Sequence, residues 1–183
     1  MTSALPRTIL VTGAAGFIGS ALSKRLLSEG CRVIGIDDFN SYYPVELKEA
    51  RVADIGPNPA FTLVRGDISD KALLEKVFSD YEPEAVVNLA AQAYSIENPD
   101  AYTRSNLVGF ANLLECCRHH KVGHFVFASS SSVYGKNKKV PFSEDDRVDF
   151  PVSYYAATKK ANKLMAASYA NLYKLPLTGL RFF

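Results

Sequence analysis

Residues 11–22 read VTGAAGFIGSAL: an apolar run, then Gly13, Gly16 and Gly19, then the start of a helical pattern. The run ahead of the first glycine, TILVT at residues 8–12, is short and β-branched, as a buried strand should be. Three spaced glycines between a strand and a helix have a physical logic. The first permits a tight turn, the second lets backbone N–H groups approach a pyrophosphate, and the third lets helix and strand pack closely. Phosphates would lie at the helix N-terminus, where unpaired N–H groups and the helix dipole favour negative charge.

The same alternation continues outward from this turn. Residues 8–12, 32–36, 61–66, 84–90, 124–129 and 177–183 read as strands, and most are continuously apolar, as in strands buried on both faces. Residues 17–28, 45–54, 71–78, 100–119 and 153–173 read as helices. Strand and helix in alternation predict an α/β fold, a doubly wound parallel sheet of Rossmann type. In such sheets ligands sit outside the carboxyl ends of the strands. The segments DDFNSYYP after the second strand and SSSSVYGKNKKVPFSEDDRVDFP after the fifth leave from such ends.

Asp37 ends the second strand, about 18 residues after Gly19 and close to the spacing of about 20 expected of an acid that accepts hydrogen bonds from an adenosine ribose. A carboxylate there would repel a 2′-phosphate, which favours NAD over NADP. The plainer alternative is that Asp37 and Asp38 only cap a loop.

Near the other end the chain reads SYYAATKK, residues 153–160. On a helix Tyr155 and Lys159 share a face, whereas Tyr154 is matched with Thr158. A tyrosine ionises near pH 10 in water, and a neighbouring ammonium favours the phenolate. Tyr155 is therefore a candidate base and Lys159 its partner. The competing reading is the wet side of an amphipathic helix. On an extended segment Ser130 and Ser132 would point the same way and are candidates to hold the same hydroxyl as Tyr155; a serine-rich loop without a reactive role is the alternative.

Composition sets the outer bounds. The chain has 183 residues, 48% of them hydrophobic and 22% charged, with a net charge of +2. That describes one globular domain and no membrane span. There is no basic stripe interleaved with aromatics, so nucleic acid is not expected; KNKK at residues 136–139 reads as a solvated loop. Cys31, Cys116 and Cys117 do not make a disulfide framework, and a reduced, cytoplasmic setting fits them. His119, His120 and Lys121 suit a helix C-terminus better than a metal site. The chain stops at LRFF, inside an apparent strand, which suggests truncation.

With VTGAAGFIGS, NLAAQA, SNLVGFANLLE, ASSSSVYG, YYAATKKANKLMA and LTGLRFF in this order, the chain resembles the extended short-chain dehydrogenase/reductase superfamily. Within it the resemblance is to NAD-dependent sugar-nucleotide epimerases, most of all UDP-glucuronate 4-epimerases. AASYANLYKLPLTGLRFF, SSSSVYG and YYPVELKEARV point to the glucuronate branch. The resemblance implies strand order 3-2-1-4-5-6 and a C-terminal substrate-binding part that this chain lacks, so that residues 1–183 form a truncated NAD-binding domain. It implies Ser130, Tyr155 and Lys159 as catalytic residues, with Ser130, Ser132 and Tyr155 on a UDP-sugar. Cofactor contacts would come from Gly13, Gly16, Phe17, Ile18, Gly19, Asp37, Asn40, Asp67, Ile68, Leu89, Ala90, Ala91, Asn106, Tyr155, Lys159 and Phe183.

The implied reaction is 4-epimerisation. Tyr155 removes the C4 hydroxyl proton as hydride passes to NAD, the 4-keto sugar turns about its diphosphate link, and hydride returns to the other face. UDP-glucose or a UDP-N-acetylhexosamine are alternative substrates, NAD binding without turnover is the alternative of another class, and the truncated chain by itself is expected to be inactive. The resembling dehydratases carry an Asp-Glu pair where this chain has Ser131 and Ser132, which disfavours elimination. Two departures stand out: Ala93 runs directly into Tyr94 where family members carry three more residues, one of them arginine, and Asp38 replaces a usual Asn. The superfamily also implies a homodimer through helices 100–119 and 153–173, against burial of those faces within one subunit.

Overall fold

The structure, a computed structural model, describes residues 7–93 and 98–183. Six strands form one parallel sheet in the order β3-β2-β1-β4-β5-β6. The strands are β1 (Thr8–Thr12), β2 (Arg32–Asp37), β3 (Phe61–Arg65), β4 (Ala85–Asn88), β5 (His124–Ser130) and β6 (Leu177–Phe182). The helices are α1 (Phe17–Ser28), α2 (Val45–Ala53), α3 (Lys71–Tyr81), α4 (Pro99–Tyr102), α5 (Phe110–His119) and α6 (Tyr154–Tyr173).

Alternate residues of β1 explain its unbroken apolar run. Leu10 joins the larger core with Leu74 and Phe78 of α3, Phe110, Leu113 and Leu114 of α5, and Ala166 of α6. Ile9 and Val11 face the other way, into a smaller core with Val33 and Ala85 against Leu22 and Leu26 of α1. Both faces of the central strands are thus buried, as a parallel sheet between helix layers requires. The strand order is the one expected. The turn at which it reverses, between β1 and β4, opens at the strands' carboxyl ends.

Element ends differ from expectation where tertiary contacts take over. The fourth strand is shorter than residues 84–90, and the third helix runs beyond Phe78 to Tyr81. The larger correction concerns the single helix expected over 100–119. It is three pieces: α4, a π-helical stretch Thr103–Gly109, and α5. The departure expected after Ala93 falls on residues 94–97, outside the described residues.

Candidate active site

A cavity of about 540 Å³ opens at the carboxyl ends of the strands. Its floor is the glycine turn. Gly13 has φ +69°, a left-handed conformation that side chains rarely adopt, and a Cβ there would meet the Ala90 nitrogen at 2.9 Å. A Cβ on Gly19 would lie 2.0 Å from the Gly13 carbonyl oxygen, so helix and turn touch only because it has none. Helix α1 starts at this turn with no side-chain cap, whereas Asp70 and Ser153 cap α3 and α6. The first-turn N–H groups of α1 therefore point at the cavity without an intrahelical partner. A phosphate group suits them.

Asp37 stands at one end of the cavity with its carboxylate already oriented. Its Oδ2 accepts from the Ala15 N–H at 3.1 Å and its Oδ1 from the Phe39 N–H at 3.0 Å. Lys48 of α2 donates to the same Oδ1 at 3.1 Å, and both side chains are buried. Sequence reasoning missed Lys48, which sits in the quoted YYPVELKEARV segment but looks there like any surface lysine. Asp38, the departure noted above, accepts the Asn40 amide at 2.8 Å through each oxygen and lies 3.7 Å from Lys48 Nζ. Asn40 thus lines the cavity while its amide nitrogen is held by Asp38. Asp67 and Ile68 line the same end, Asp67 in an ion pair with Arg104 at 3.2 Å.

The middle wall is Leu89, Ala90 and Ala91, the segment after β4. Thr12 fixes it. The Thr12 hydroxyl donates to Asn88 Oδ1 at 2.6 Å and accepts from the Ala90 N–H at 3.2 Å. This joins β1 and β4 at their ends.

Ser130, Tyr155, Lys159 and Phe183 line the far end, with Ser131 and Phe182. Lys159 is 3% exposed and donates to the Ala128 carbonyl at 2.9 Å. Its Nζ lies 5.6 Å from the centroid of the Tyr155 ring. Burial pushes the Lys159 pKa down to about 8, because the charged form loses hydration. Among the described residues lining the cavity, the carboxylates are Asp37, Asp38 and Asp67, so the tyrosine end carries hydroxyls and an ammonium but no acid.

Two of the expected site residues stand elsewhere. The premise that Ser130 and Ser132 share one face of an extended segment fails at Ser131, where a 3-10 turn, Ser131–Tyr134, begins. Ser130 caps that turn, its Oγ accepting from the Ser132 N–H at 3.1 Å. As a result Ser131, not Ser132, reaches the cavity, and Ser132 Oγ is buried without a hydrogen-bond partner among the described residues.

Asn106 is likewise absent from the cavity lining. Its side-chain oxygen accepts from the Gln92 N–H at 2.8 Å, and its amide nitrogen donates to the Gln92 carbonyl at 3.0 Å and to Thr158 Oγ1 at 3.1 Å. The Thr158 hydroxyl donates in turn to the Tyr155 carbonyl at 2.7 Å, and Asn162 donates to the Asn106 carbonyl at 2.6 Å. Asn106 therefore locks the tyrosine-bearing helix to the segment after β4. The other expected residues, from Gly13, Gly16, Phe17, Ile18 and Gly19 to Phe183, all line the cavity.

Arg181 of β6 was also missed. It donates to the Tyr134 hydroxyl at 2.7 Å and to the Ser143 and Glu144 carbonyls at 3.4 and 3.2 Å. Tyr134 stacks on Phe142 at 4.2 Å. Together they pin the long segment between β5 and α6 beside the cavity mouth.

The family model described as GDP-mannose 4,6 dehydratase matches residues 10–183. The chain is 56% identical to Protein CapI of Staphylococcus aureus, over 96% of this chain and 53% of that protein. It is 49% identical to a protein of Rhizobium meliloti named as a probable UDP-glucuronate 4-epimerase, over 95% of this chain and 52% of the other. A crystal structure of UDP-glucuronic acid 4-epimerase from Bacillus cereus, in complex with UDP-glucuronic acid and NAD, superposes with a TM-score of 0.88 at 35% identity. That match covers 96% of this chain and 56% of the other. The chain thus spans about half the length of the relatives it matches.

Proposed function

This chain belongs to the family described as GDP-mannose 4,6 dehydratase, and we propose that it carries the cofactor-binding and proton-transferring residues of an NAD-dependent UDP-sugar 4-epimerase. The preferred reaction is UDP-glucuronate to UDP-galacturonate. The observation that carries the reading is one cavity with a glycine turn and Asp37 at one end and Ser130, Tyr155 and Lys159 at the other. A dinucleotide fits the donors and acceptors present: uncapped helix N–H groups for the phosphates, a buried carboxylate for the ribose, and a dry ammonium for the far ribose.

When bound there, the dinucleotide supplies hydride acceptance and return at C4 of the sugar. Ser130 holds the C4 hydroxyl. Tyr155 takes its proton and later gives it back. Lys159, with its pKa near 8, keeps positive charge beside Tyr155 at neutral pH and favours the phenolate. Asn106 and Thr158 act through position, since they hold the backbone of Tyr155. Elimination of water calls for an acid and a base at the reacting end, and among the described residues the lining there offers no carboxylate. Epimerisation needs only the proton taken and returned.

A homodimer through residues 100–119 and 153–173 and a cytoplasmic setting belong to the same reading. Leu164, Leu172 and Tyr173 on α6 are exposed apolar groups, and all three cysteines are buried as free thiols. No helix among the described residues is long and apolar enough to cross a membrane.

A second reading is NAD binding without turnover. One pair of measurements separates the two. Calorimetric titration with NAD should show saturable binding. Incubation with NAD and UDP-glucuronate, followed by separation of the products, should yield UDP-galacturonate under the first reading and none under the second. UDP-glucose and UDP-N-acetylglucosamine in parallel identify the sugar. Failure to bind NAD at all would sink both readings.

A further inference from the structure

Tyr154 and Tyr155 stand side by side at the start of α6, and of the two it is Tyr155 that lines the cavity. The first turn of a helix holds its residues weakly, because the N–H groups there lack intrahelical partners. The Ser153 cap takes up one of them, its Oγ accepting from the Ala156 N–H at 3.1 Å. Lateral support for the two tyrosines comes from α4 and the residue after it. Asn98 caps α4 by accepting from the Ala101 N–H at 3.2 Å, Pro99 opens it, and Tyr102 ends it with 2% of its surface exposed. The Tyr102 ring meets the Tyr155 ring with 6.4 Å between centroids and 66° between planes. It meets the Tyr154 ring at 6.1 Å and 80°. Both pairs have the near-perpendicular geometry in which aromatic rings attract. The next residue, Thr103, shares a 2.7 Å hydrogen bond between its hydroxyl and that of Tyr154.

We propose that Tyr102 is a positioning residue for the proton-transferring tyrosine: its buried ring, with the Thr103 hydroxyl, fixes the first turn of α6 so that Tyr155 and not Tyr154 enters the cavity beside Lys159. Adjacent residues lie about 100° apart around a helix, so turning this first turn by that angle would exchange the two tyrosines. Asn106 and Thr158 hold the backbone of Tyr155. Tyr102 holds its ring, and with it the 5.6 Å between the ring centroid and Lys159 Nζ. The part of Tyr102 that does this is the ring, so phenylalanine should serve in its place and leucine should not.

The inference rests on the reading of Tyr155 as the group that moves the proton, and the test needs no cofactor. Tyrosine labelled with carbon-13 at Cζ is incorporated into the chain, and the Tyr155 line is the one missing from Tyr155→Phe. Its position is followed by NMR as pH is raised through the value near 8 at which Lys159 loses its proton. Loss of that charge beside the ring should appear as a step in the Tyr155 line. Tyr102→Phe should keep the step. Tyr102→Leu should shrink it by about half or more, because the influence of the charge falls as the ring leaves it. A merely structural role would lower the urea midpoint of the Leu variant without changing the step. A reduction of less than about half in Tyr102→Leu overturns the inference, as does loss of the step in Tyr102→Phe or its absence from the unaltered chain. Should Tyr102→Leu not fold, Tyr102→Met fills more of the site and carries the same comparison. Failure to bind NAD would sink the reading of the cavity and leave this result standing, so the two are told apart.

Discussion

Lys159 Nζ lies 2.9 Å from the Ala128 carbonyl, inside the protein and one helical turn beyond Tyr155. The contact aims the ammonium but does not neutralise it. Desolvation therefore dominates, and the folded-state pKa falls from 10.5 to about 8. Below pH 8 the lysine is protonated whether folded or not, and the folded state bears the full cost of a buried charge. Between pH 8 and 10.5 the unfolded chain holds more protons, so stability rises with pH across that window.

Lys159→Met should remove that slope. Chemical denaturation at pH 7 and pH 10.5 should show the variant gaining relative to the parent at the lower pH, by roughly 1–3 kcal/mol, with the gain fading at the higher. A difference independent of pH would mean that the lysine is not buried as described.

Gly19→Ala places a methyl group against the Gly13 carbonyl oxygen at 2.0 Å, a backbone atom that cannot swing aside. Helix α1 must then shift away from the turn. A cost of about 1–3 kcal/mol in thermal unfolding is expected, together with loss of NAD binding. Unchanged NAD affinity would separate the glycine turn from the cofactor.

Glu115 ties α5 to α6. It accepts from the Tyr169 hydroxyl at 2.5 Å and pairs with Arg118 at 2.8 Å. The Arg118 and Tyr169 hydrogen bonds lower its pKa to about 2. Its contribution is present above pH 4.5 and is lost as pH falls toward 2. Glu115→Gln should cost about 1 kcal/mol at pH 7, since the pair is partly exposed, and nothing near pH 2. Urea titrations at the two pH values check this.

Arg181→Met removes the donor to the Tyr134 hydroxyl and to the Glu144 carbonyl, while the Tyr134 hydroxyl keeps its own bond to the Ser143 carbonyl at 3.1 Å. Amide hydrogen exchange should accelerate across residues 136–150 and change little in β1 and β2. Uniform acceleration would point to global destabilisation instead of release of this segment.

The sheet and the glycine turn were legible because their signals are local. TILVT, RVIGI and the spaced glycines each declare a conformation within a few residues. Tyr155 and Lys159 were legible for the same reason, as a pair one turn apart. Lys48 was not. Its partner lies on another element, and no neighbouring residue marks it as different from Lys24 or Lys71 on the surface. Ser132 was misplaced because the chain was assumed to stay extended past Ser130, whereas the Ser130 hydroxyl caps a turn there. Asn106 was expected at the cofactor through the family resemblance, and nothing in the sequence around it signals the π-helical stretch on which it stands. Both of its amide atoms are taken up by neighbouring protein groups.

The π-helical stretch also constrains how this chain can vary in length. Residues 103–109 hold a widened turn, and regular helix would follow if one residue were lost. Such a deletion would remove the widened turn from which Asn106 reaches Gln92 and Thr158. Within this stretch Asn106 is tied by its side chain to Gln92 and Thr158, so both its identity and its place in the turn matter. Alignments that close a gap here would join sequences whose tyrosine helices are held in different ways.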